Sequence, residues 1–478
     1  MLDIDGLSRD VFTQAMENGL IPNIARLFGG KELEKGISFA AVANAPSITY
    51  SCQASTVTGA HPNQHHIPGN MFLDRFGKNN FGKPRYYQFD FIDAPLVFSL
   101  GLSNQVLAVE TPTIFETAAN YGLTSTVAYH MYARGAQNWL QPGMDDWALF
   151  ANINQPNFGE LYDDNMLHDV LSHLAEGHRP TVLLMYFFGM DHESHIHGTG
   201  IQKDYLCKVL DRQIGEFLAS YEAMGLFENT LFCIFSDHGQ IDIQNDDLHM
   251  LKVGSFFDRE YSYLFQALNL DVNDFLLEGT NCDAILAQAG GMAQVYQRKM
   301  NGRWSDPPRF EQVLRLANAF WQSNLTGEFR PELKDALELI LVRDVEREGW
   351  YADYQVFTPE GLFPLAAYLE NHAELEWVDG ANRIHDMASP VTGDILLFAN
   401  VAQGYSFTML PYKGMHGGLH SQDSNAVLAY GYPGGSPDQA SNLKDFLSNA
   451  IQERCKVENN RHVSNVDVAF GIRKIMGW

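Results

Sequence analysis

Hydrophobic residues along the chain form short continuous runs and longer helical repeats, and these two patterns alternate over most of its length. Six runs have the length of buried strands, and helical patterns such as 113–120 and 203–223 lie between several of them. Nearly continuous apolar strands separated by helices indicate an α/β fold with a mostly parallel sheet sandwiched by helices. The predicted strands are residues 37–42, 125–128, 182–187, 231–235, 395–399 and 426–429.

The pattern changes in the middle of the chain. From about residue 251 to 392, charged helical stretches (307–322 and 332–341) mix with short β-like pieces (293–297 and 354–357), and strand–helix alternation resumes near residue 395. We therefore predict a catalytic core formed by residues 1–250 and 393–478. Residues 251–392 are predicted to be an inserted α+β cap.

Charge excludes one class of partner. The chain of 478 residues has 32 Lys and Arg against 58 Asp and Glu, which gives 32 − 58 = −26. A protein this acidic is repelled by nucleic acids and anionic membranes, so we expect no nucleic-acid-binding surface. A local cationic site remains compatible with this charge, because two bound divalent ions reverse the field in one pocket.

Cysteine usage and hydropathy bear on location. No run of about 18 apolar residues is present, so no transmembrane segment is expected. Asp3, Asp5 and Arg9 stand where the apolar part of a signal peptide begins. Five widely spaced cysteines do not form a disulfide framework and fit a reducing compartment. These features predict a cytoplasmic protein.

Five short segments are rich in residues that bind metals or act as nucleophiles. They are residues 2–6, 46–53 with 58–59 and 65–70, 190–195, 235–239 and 414–418. Each is weak evidence alone, because an Asp-Gly or His-Gly pair is more often a turn. Together they are informative, since Asp5, Asp191 and Asp237 each follow an apolar strand, at the edge where parallel sheets bind ligands. Mixed Asp and His side chains suit Zn²⁺, and the segments contain enough ligands for two ions.

The order and spacing of these segments resemble the type I phosphodiesterase/nucleotide pyrophosphatase family, a branch of the alkaline phosphatase superfamily that includes phosphonoacetate hydrolase. The matching stretches are Ile4-Asp5-Gly6, Pro22-Asn23, Pro46-Ser47-Ile48-Thr49, Val57-Thr58-Gly59, Pro62, His65-His66-Ile67-Pro68-Gly69-Asn70, Asp191 with His195, Ser236-Asp237-His238-Gly239 and His416-Gly417. The likeness covers about residues 1–245 and 390–478 and is weak in between. It implies an alkaline-phosphatase-like core.

The resemblance also implies a mechanism. Thr49 would attack phosphorus and become phosphorylated, because a hydroxyl is an effective nucleophile only when its pKa is lowered. Asn70 and the Thr49 backbone N–H would donate to a phosphoryl oxygen. The expected substrates are small phosphodiesters, pyrophosphates or a related phosphonate. The implied cofactors are two Zn²⁺, with other divalent metals such as Mn²⁺ as an alternative, held by Asp191, His195 and His416 in one site and by Asp5, Asp237, His238 and Thr49 in the other.

The sequence departs from the family pattern at three positions. Cys52 stands where many relatives have Asn, and that Asn is expected to be structural. His66 replaces the usual Gly, so the backbone there should avoid a conformation open only to Gly, with a shift of Asn70 as the consequence. His420 follows His416 by four residues and is its rival as a ligand; His416 is favoured because it carries the His-Gly pair. Other histidines near the motifs are interpreted as structural or supporting: His61, His65, His66, His192 and His197.

Substrate contacts are harder to predict. Phosphonoacetate hydrolase would be expected to place lysines after the strand at 125–128, where this chain has none. His130, Tyr132 and Arg134 are the candidates there, and a surface ion pair is the alternative for Arg134. The aromatic stretch 72–98 is predicted mainly as core, with the wall of a pocket as the alternative.

Three rival functions remain open. A phosphomonoesterase or phosphomutase of the same superfamily is the nearest, although a mutase needs basic residues for a second phosphate and no Lys or Arg cluster lies beside the motifs. A sulfatase is disfavoured, because no Cys/Ser-x-Pro-x-Arg stretch lies near Thr49. An inactive metal-binding scaffold is the alternative of another class. The oligomeric state is left open by the sequence.

Overall fold

The computed structural model describes residues 1–150, 155–252, 260–273, 280–328, 331–458 and 461–478. Its strands, in chain order, are β1 (Leu2–Ile4), β2 (Gly36–Val42), β3 (Met71–Asp74), β4 (Arg85–Gln88), β5 (Ser125–Ala128), β6 (Asn138–Leu140), β7 (Val182–Phe187), β8 (Phe232–Phe235), β9 (Ile241–Asp242), β10 (Ala284–Ala289), β11 (Met292–Gln297), β12 (Leu337–Val342), β13 (Gln355–Thr358), β14 (Gly361–Pro364), β15 (Ile395–Ala399), β16 (Gly414–Met415) and β17 (Asn425–Gly431).

The α-helices surround these strands. They are α1 (Arg9–Glu17), α2 (Pro22–Arg26), α3 (Thr49–Thr58), α4 (Pro62–His65), α5 (Ala94–Leu100), α6 (Leu102–Val106), α7 (Ile114–Asn120), α8 (Met144–Phe150), α9 (Phe158–Ala175), α10 (Gly189–His197), α11 (Gln202–Tyr205), α12 (Asp211–Ala223), α13 (Glu260–Ala267), α14 (Phe310–Thr326), α15 (Val345–Glu348), α16 (Leu365–Asn371), α17 (Gly380–His385), α18 (Ser421–Ser424), α19 (Pro437–Val457) and α20 (Val466–Met476). In the part of the chain that the structure describes, none of them is long and apolar enough to span a membrane.

Seven strands form the main sheet in the order β2-β17-β8-β1-β7-β5-β6. Strand β17 runs antiparallel to both of its neighbours, and the other adjacent pairs are parallel. One face is covered by α1, α2, α9 and α12 and the other by α3, α7, α19 and α20, each through a cluster of buried apolar residues. The predicted α/β fold with a mostly parallel, helix-covered sheet is therefore confirmed.

A second, antiparallel sheet has the order β10-β11-β15-β12-β13-β14. Its strand β15 has the predicted bounds 395–399, but it pairs with β11 and β12 and does not return the chain to the main sheet. The division into residues 1–250 with 393–478 and residues 251–392 stays a prediction.

The predicted helix over 332–341 is wrong. This stretch forms a 3₁₀ turn (Pro331–Leu333) followed by β12. Leu and Glu favour helices when only local preference acts, but here Leu341 lies opposite Leu396 of β15 within a buried sheet. Pairing with a distant strand outweighs the local preference.

The main sheet brings three predicted site residues together. Strands β1, β7 and β8 are adjacent and parallel, so their carboxyl ends lie at the same edge. Asp5 directly follows β1, Asp191 lies in the first turn of α10 after β7, and Asp237 follows β8. This edge is where ligands bind in sheets of this kind.

Candidate metal centre and catalytic cleft

The three aspartates are packed against one another at a tight turn. Gly6, just after Asp5, has φ +69°, and its backbone N–H donates to Asp237 Oδ1 at 3.1 Å. A Cβ on Gly6 would lie 2.9 Å from Asp191 Oδ1, so a side chain here would displace that carboxylate. The glycine of the Asp-Gly pair is thus required by both its conformation and its neighbour.

Two histidines face these carboxylates from segments that follow strands β7 and β8 of the main sheet. His195 lies one turn after Asp191 on α10, with its Nε2 at 3.1 Å from Asp191 Oδ2. His238 Nε2 is 3.2 Å from Asp237 Oδ2 and 3.4 Å from Asp5 Oδ1. Each imidazole is therefore within contact distance of a carboxylate that the sequence placed in the same site.

A third histidine comes from the far end of the chain. His416 Nε2 is 3.7 Å from Asp191 Oδ1, and its ring stacks on that of His238 with centroids 3.7 Å apart. His420 instead bonds Glu338 at 3.0 Å. Between the two rivals, the structure brings His416 to the aspartates.

Hydrogen bonding sets the same tautomer on all three histidines. A backbone carbonyl can only accept, so the Nδ1 of each ring carries the proton and the Nε2 presents a lone pair. Those lone pairs point at carboxylate oxygens, which also only accept, and a cation between them resolves the conflict. The Nδ1 donors reach Gly414 O at 2.8 Å from His195, Gly239 O at 2.9 Å from His238 and Ser47 O at 3.0 Å from His416.

The residues fit divalent metal ions. Asp5 Oδ1 and Asp237 Oδ2 are buried without a hydrogen-bond partner among the described residues, and such orphaned acceptors are rare in folded proteins. Within this cluster, ligand atoms within 4.8 Å of one another form two groups that share His238. The groups are Asp191, His238 and His416, and Asp5, Asp237 and His238. Carboxylate and imidazole donors in these numbers suit Zn²⁺.

The carboxylates of the cluster lie close together, and this proximity shifts their pKa values. Burial raises the pKa of Asp5 well above its ordinary value, and the charges of Asp237 and Asp191 raise it further. Burial also raises the pKa of Asp191, but the adjacent histidines outweigh this and hold it below its ordinary range. Burial and the neighbouring His238 lower the pKa of His416, so its Nε2 is free of a proton at neutral pH.

We expect bound zinc to stabilise the protein more at high pH than at low pH. Because the pKa of Asp5 is higher in the folded than in the unfolded chain, the metal-free fold binds more protons. It therefore loses stability as pH rises between those two values. A bound divalent cation cancels the repulsion. Melting temperatures of zinc-loaded and metal-free protein should differ more at about pH 8 than at about pH 5. An equal difference at both pH values would contradict this account.

Thr49 and Asn70 lie beside the cluster. Thr49 begins α3, and its Oγ1 is 3.2 Å from His238 Nε2. Asn70 Oδ1 accepts the backbone N–H of Tyr50 at 3.0 Å, which places the Asn70 amide next to the first turn of α3. Asn70 Nδ2 donates one of its two hydrogens to Asp90 Oδ2 at 2.6 Å and keeps the other for a ligand.

A cleft of about 350 Å³ opens over these groups. Some rings of the aromatic stretch 72–98 lie in the core and others line the cleft, so both predictions made for it apply. Phe72 and Tyr87 stack in the core with centroids 5.2 Å apart, whereas Phe89, Phe91 and Phe98 line the cleft. Further rings come from other elements, among them Trp147, Tyr162, Phe188 and Tyr412.

The geometry does not support the three predicted substrate contacts. His130 is buried, and its ring bonds Gln53 Oε1 at 2.9 Å. The Tyr132 hydroxyl donates to the backbone carbonyl of Tyr50 at 3.0 Å. Arg134 pairs with Glu116 at 3.0 Å and donates to three backbone carbonyls. All three side chains stabilise loops behind the cleft. Arg134 forms an ion pair, which was the alternative predicted for it.

The departures from the family pattern have structural explanations. His66 adopts φ +63° and ψ +29° at the end of α4, which is the left-handed region and not a conformation open only to Gly. That region is open to other residues at a cost, and Asn70 still lies at Thr49. Cys52 is buried, with its Sγ 3.6 Å from the Pro46 carbonyl. His61, His65, His192 and His197 contact groups outside the metal cluster.

Several supporting residues were not predicted from the sequence. The Tyr186 hydroxyl donates to Asp5 Oδ2, and the Gln240 amide donates to the Asp191 carboxylate. Asp90 reaches the cleft from the turn after β4. Tyr186 could have been inferred from its place in a strand beside the site, but Gln240 and Asp90 follow no recognisable spacing.

Solved structures with a similar fold include members of one group of proteins. Murine ectonucleotide pyrophosphatase/phosphodiesterase 5, in an inactive variant in complex with AMP, is 12% identical, with a TM-score of 0.53 over 100% of this chain and 94% of that chain. Another structure of the murine protein (13%, TM-score 0.51, 96% and 95%) and one of the human protein (12%, 0.51, 96% and 94%) are similar. At these identities the likeness shows the fold alone.

The curated proteins contain no match to the sequence. The family model for type I phosphodiesterase/nucleotide pyrophosphatase, however, matches residues 1–325, more than half of the chain. This match supports a hydrolase of the phosphodiesterase/pyrophosphatase type. The chain belongs to the type I phosphodiesterase/nucleotide pyrophosphatase family.

Proposed function

We propose that the protein is a zinc-dependent hydrolase of small phosphodiesters, pyrophosphates or related phosphonates, with Thr49 as the nucleophile. The observation that carries this proposal is the position of Thr49 Oγ1, 3.2 Å from His238 Nε2 at the edge of a buried carboxylate–imidazole cluster. A hydroxyl in that position is close to groups that bind cations and opens onto the cleft.

The proposed ligands differ from the two groups of the cluster in one residue: His195, whose Nε2 is 3.1 Å from Asp191 Oδ2, replaces His238 beside Asp191 and His416. His238 has contacts that reach both groups, and it is assigned with Asp5 and Asp237 because its Nε2 is nearest to them. When bound, the metal ions would act as Lewis acids that lower the pKa of the nucleophile and neutralise charge on the phosphoryl and leaving oxygens. Asp191, His195 and His416 would hold one ion, and Asp5, Asp237, His238 and Thr49 the other.

The chain's own groups account for the covalent steps. Thr49 Oγ1 attacks phosphorus, the bond from phosphorus to the leaving oxygen breaks, and the hydroxyl proton passes to solvent. Water then attacks the Thr49 phosphate ester and restores the hydroxyl. Two groups, Asn70 Nδ2 and the Thr49 backbone N–H, donate to the phosphoryl oxygen on which charge develops. The Thr49 N–H is available because it lies at the start of a helix, where it has no acceptor within the helix.

Substitution of Asn70 by alanine tests the role of its amide. We expect kcat to fall by roughly 10²-fold, because one donor to the developing charge is lost. Zinc content should stay unchanged, since Asn70 contacts the Tyr50 backbone and Asp90 and no residue of the metal cluster. Steady-state kinetics with metal analysis measures both quantities, and unaltered kcat would remove Asn70 from the mechanism.

The cleft favours diesters over monoesters. No Lys or Arg lines it in the described part of the chain, so the second negative charge of a monoester finds no side-chain partner. Zinc-loaded protein should hydrolyse bis-p-nitrophenyl phosphate much faster than p-nitrophenyl phosphate, by about tenfold or more in kcat/KM. A faster monoester would favour a phosphomonoesterase. Bound zinc without hydrolysis of either ester would favour an inactive scaffold.

A further inference from the structure

A second cluster of metal-binding side chains lies outside the cleft, where α9 ends and β7 begins. His173 is in the last turn of α9, and Glu176 and His178 follow in the turn that leads to β7. One ligand atom from each of these three residues lies within 4.8 Å of the others. His178 Nε2 is 3.8 Å from Glu176 Oε2, and the rings of His173 and His178 stack with centroids 4.0 Å apart. Two imidazoles and a carboxylate thus meet at one turn of the chain.

The backbone of this turn is fixed by groups other than the three side chains. Gly177 adopts φ +97°, which reverses the chain after α9, and its N–H donates to the Leu174 carbonyl at 3.1 Å. Arg179 Nη1 donates to the carbonyls of Leu174 and His178 at 2.6 and 2.7 Å. The turn therefore brings His178 back beside His173 without the help of an ion.

The surroundings of His173 suit a metal ligand. Its Nε2 lies 3.2 Å from Thr126 Oγ1 on β5, which leaves Nδ1 as the nitrogen open to an ion. When Nδ1 binds a metal, Nε2 carries the proton and donates to that hydroxyl, as the second nitrogen of ligating histidines commonly does. Burial lowers the pKa of His173 and the nearby His178 lowers it further, so the ring is neutral at about pH 7.5. The carbonyl end of α9 also favours a cation.

This cluster and the metal centre lie at opposite edges of the main sheet. The cluster precedes β7, whereas Asp191 follows the carboxyl end of that strand. Six residues of strand span about 20 Å. An ion at the end of α9 is therefore too far from the cleft to act on a substrate bound there.

We propose that His173, Glu176 and His178 bind one Zn²⁺ ion, with water completing its coordination. Imidazole with carboxylate suits Zn²⁺, whereas Ca²⁺ prefers oxygen ligands alone. The two rings are parallel to within 5°, so their lone pairs lie side by side and one ring must turn for both to reach an ion. The His178 side chain is 48% exposed and has room to turn, whereas His173 is held at Thr126. The ion would tie the end of α9 to the start of β7.

Zinc titration of protein whose metal centre is already loaded tests the inference. With three protein ligands, two of them exposed, the new site should fill after the metal centre. Calorimetry should then detect one further ion per chain, and Ca²⁺ should not compete for it. Glu176→Gln and His178→Gln should each weaken this binding by at least about tenfold, because even the partners of ligands contribute that much to metal affinity. Both side chains are exposed, so both variants should fold.

His168→Gln is the matched control. His168 is exposed on the same helix and outside the cluster, so its replacement should leave the further ion bound. The signals of ¹³C-labelled histidine rings give a second readout. Zinc should shift the signals of His173 and His178 together as the stack opens, and it should leave that of His168 in place. Absence of a further ion, or equal affinity in His178→Gln and wild type, would overturn the inference.

The variants also separate this inference from the proposed function. His178→Gln should hydrolyse bis-p-nitrophenyl phosphate at the wild-type rate. His416→Ala should lose that activity together with the zinc of the metal centre and keep the further ion. If His416→Ala loses zinc and His178→Gln loses none, the cluster at the end of α9 is not a metal site. If His178→Gln loses the further ion but the wild type hydrolyses no ester, the inference stands and the proposed function fails.

Discussion

Replacement of Thr49 by alanine should lower hydrolysis of bis-p-nitrophenyl phosphate by roughly 10³-fold or more, while zinc remains bound. The substitution removes the atom proposed to attack phosphorus, and alanine is well tolerated at the start of a helix. Asp5, Asp237 and His238 remain as ligands of the adjacent site. Steady-state rates with metal analysis measure both results.

Thr49→Ser is the matched control for this experiment. Serine presents the same hydroxyl from the same position, so it should restore much of the activity that Thr49→Ala loses. Undiminished turnover in Thr49→Ala would contradict the assignment of the nucleophile. Loss of zinc together with activity would show that the metal site needs the Thr49 hydroxyl as a ligand, and the loss of activity would then not identify the nucleophile.

Removal of the metal should have an effect of similar size. Dialysis against a chelator should reduce hydrolysis to background, and Zn²⁺ should restore it with about two ions bound per chain. Without the ions, Asp5 and Asp237 retain buried acceptors that have no partner among the described residues. Substitution of Mn²⁺ in the same assay compares the two metals.

Two histidines four residues apart provide the control for metal removal. His416 faces Asp191, whereas His420 bonds Glu338 on β12 at 3.0 Å. His416→Ala should lose both activity and bound zinc, and His420→Ala should keep its zinc. Loss of zinc in His420→Ala but not in His416→Ala would make His420 the metal ligand in place of His416. Full activity in the chelated protein would exclude metal dependence.

Local pattern predicted many elements of the fold, but not where each strand pairs. The strands at 125–128, 182–187 and 395–399 have the predicted bounds, because apolar runs mark buried strands wherever they lie. Strand 395–399 pairs with β11, which is distant in sequence, and with β12, whose sequence pattern also fits a helix. Its place in the second sheet could therefore not be predicted from local pattern. The helix predicted over 332–341 failed for the same reason.

The candidate site could be predicted as far as it follows strand ends and motifs. Asp5, Asp191 and Asp237 lie at the carboxyl ends of adjacent strands, and the structure brings them together as expected. His416 could be linked to them only through the family resemblance, because some 180 residues separate it from His238. No sequence pattern predicted that Asp90 lies in the cleft, because its position arises from a turn that folds back onto Asn70.

The stereochemistry of hydrolysis tests the central claim most directly. One enantiomer of methyl p-nitrophenyl phosphorothioate, hydrolysed by the zinc-loaded protein in ¹⁸O-labelled water, yields a product whose configuration at phosphorus can be assigned. Attack by Thr49 followed by attack of water makes two in-line displacements, each of which inverts phosphorus. The account predicts overall retention of configuration. Inversion would show that water attacks the substrate directly and would contradict a Thr49 intermediate.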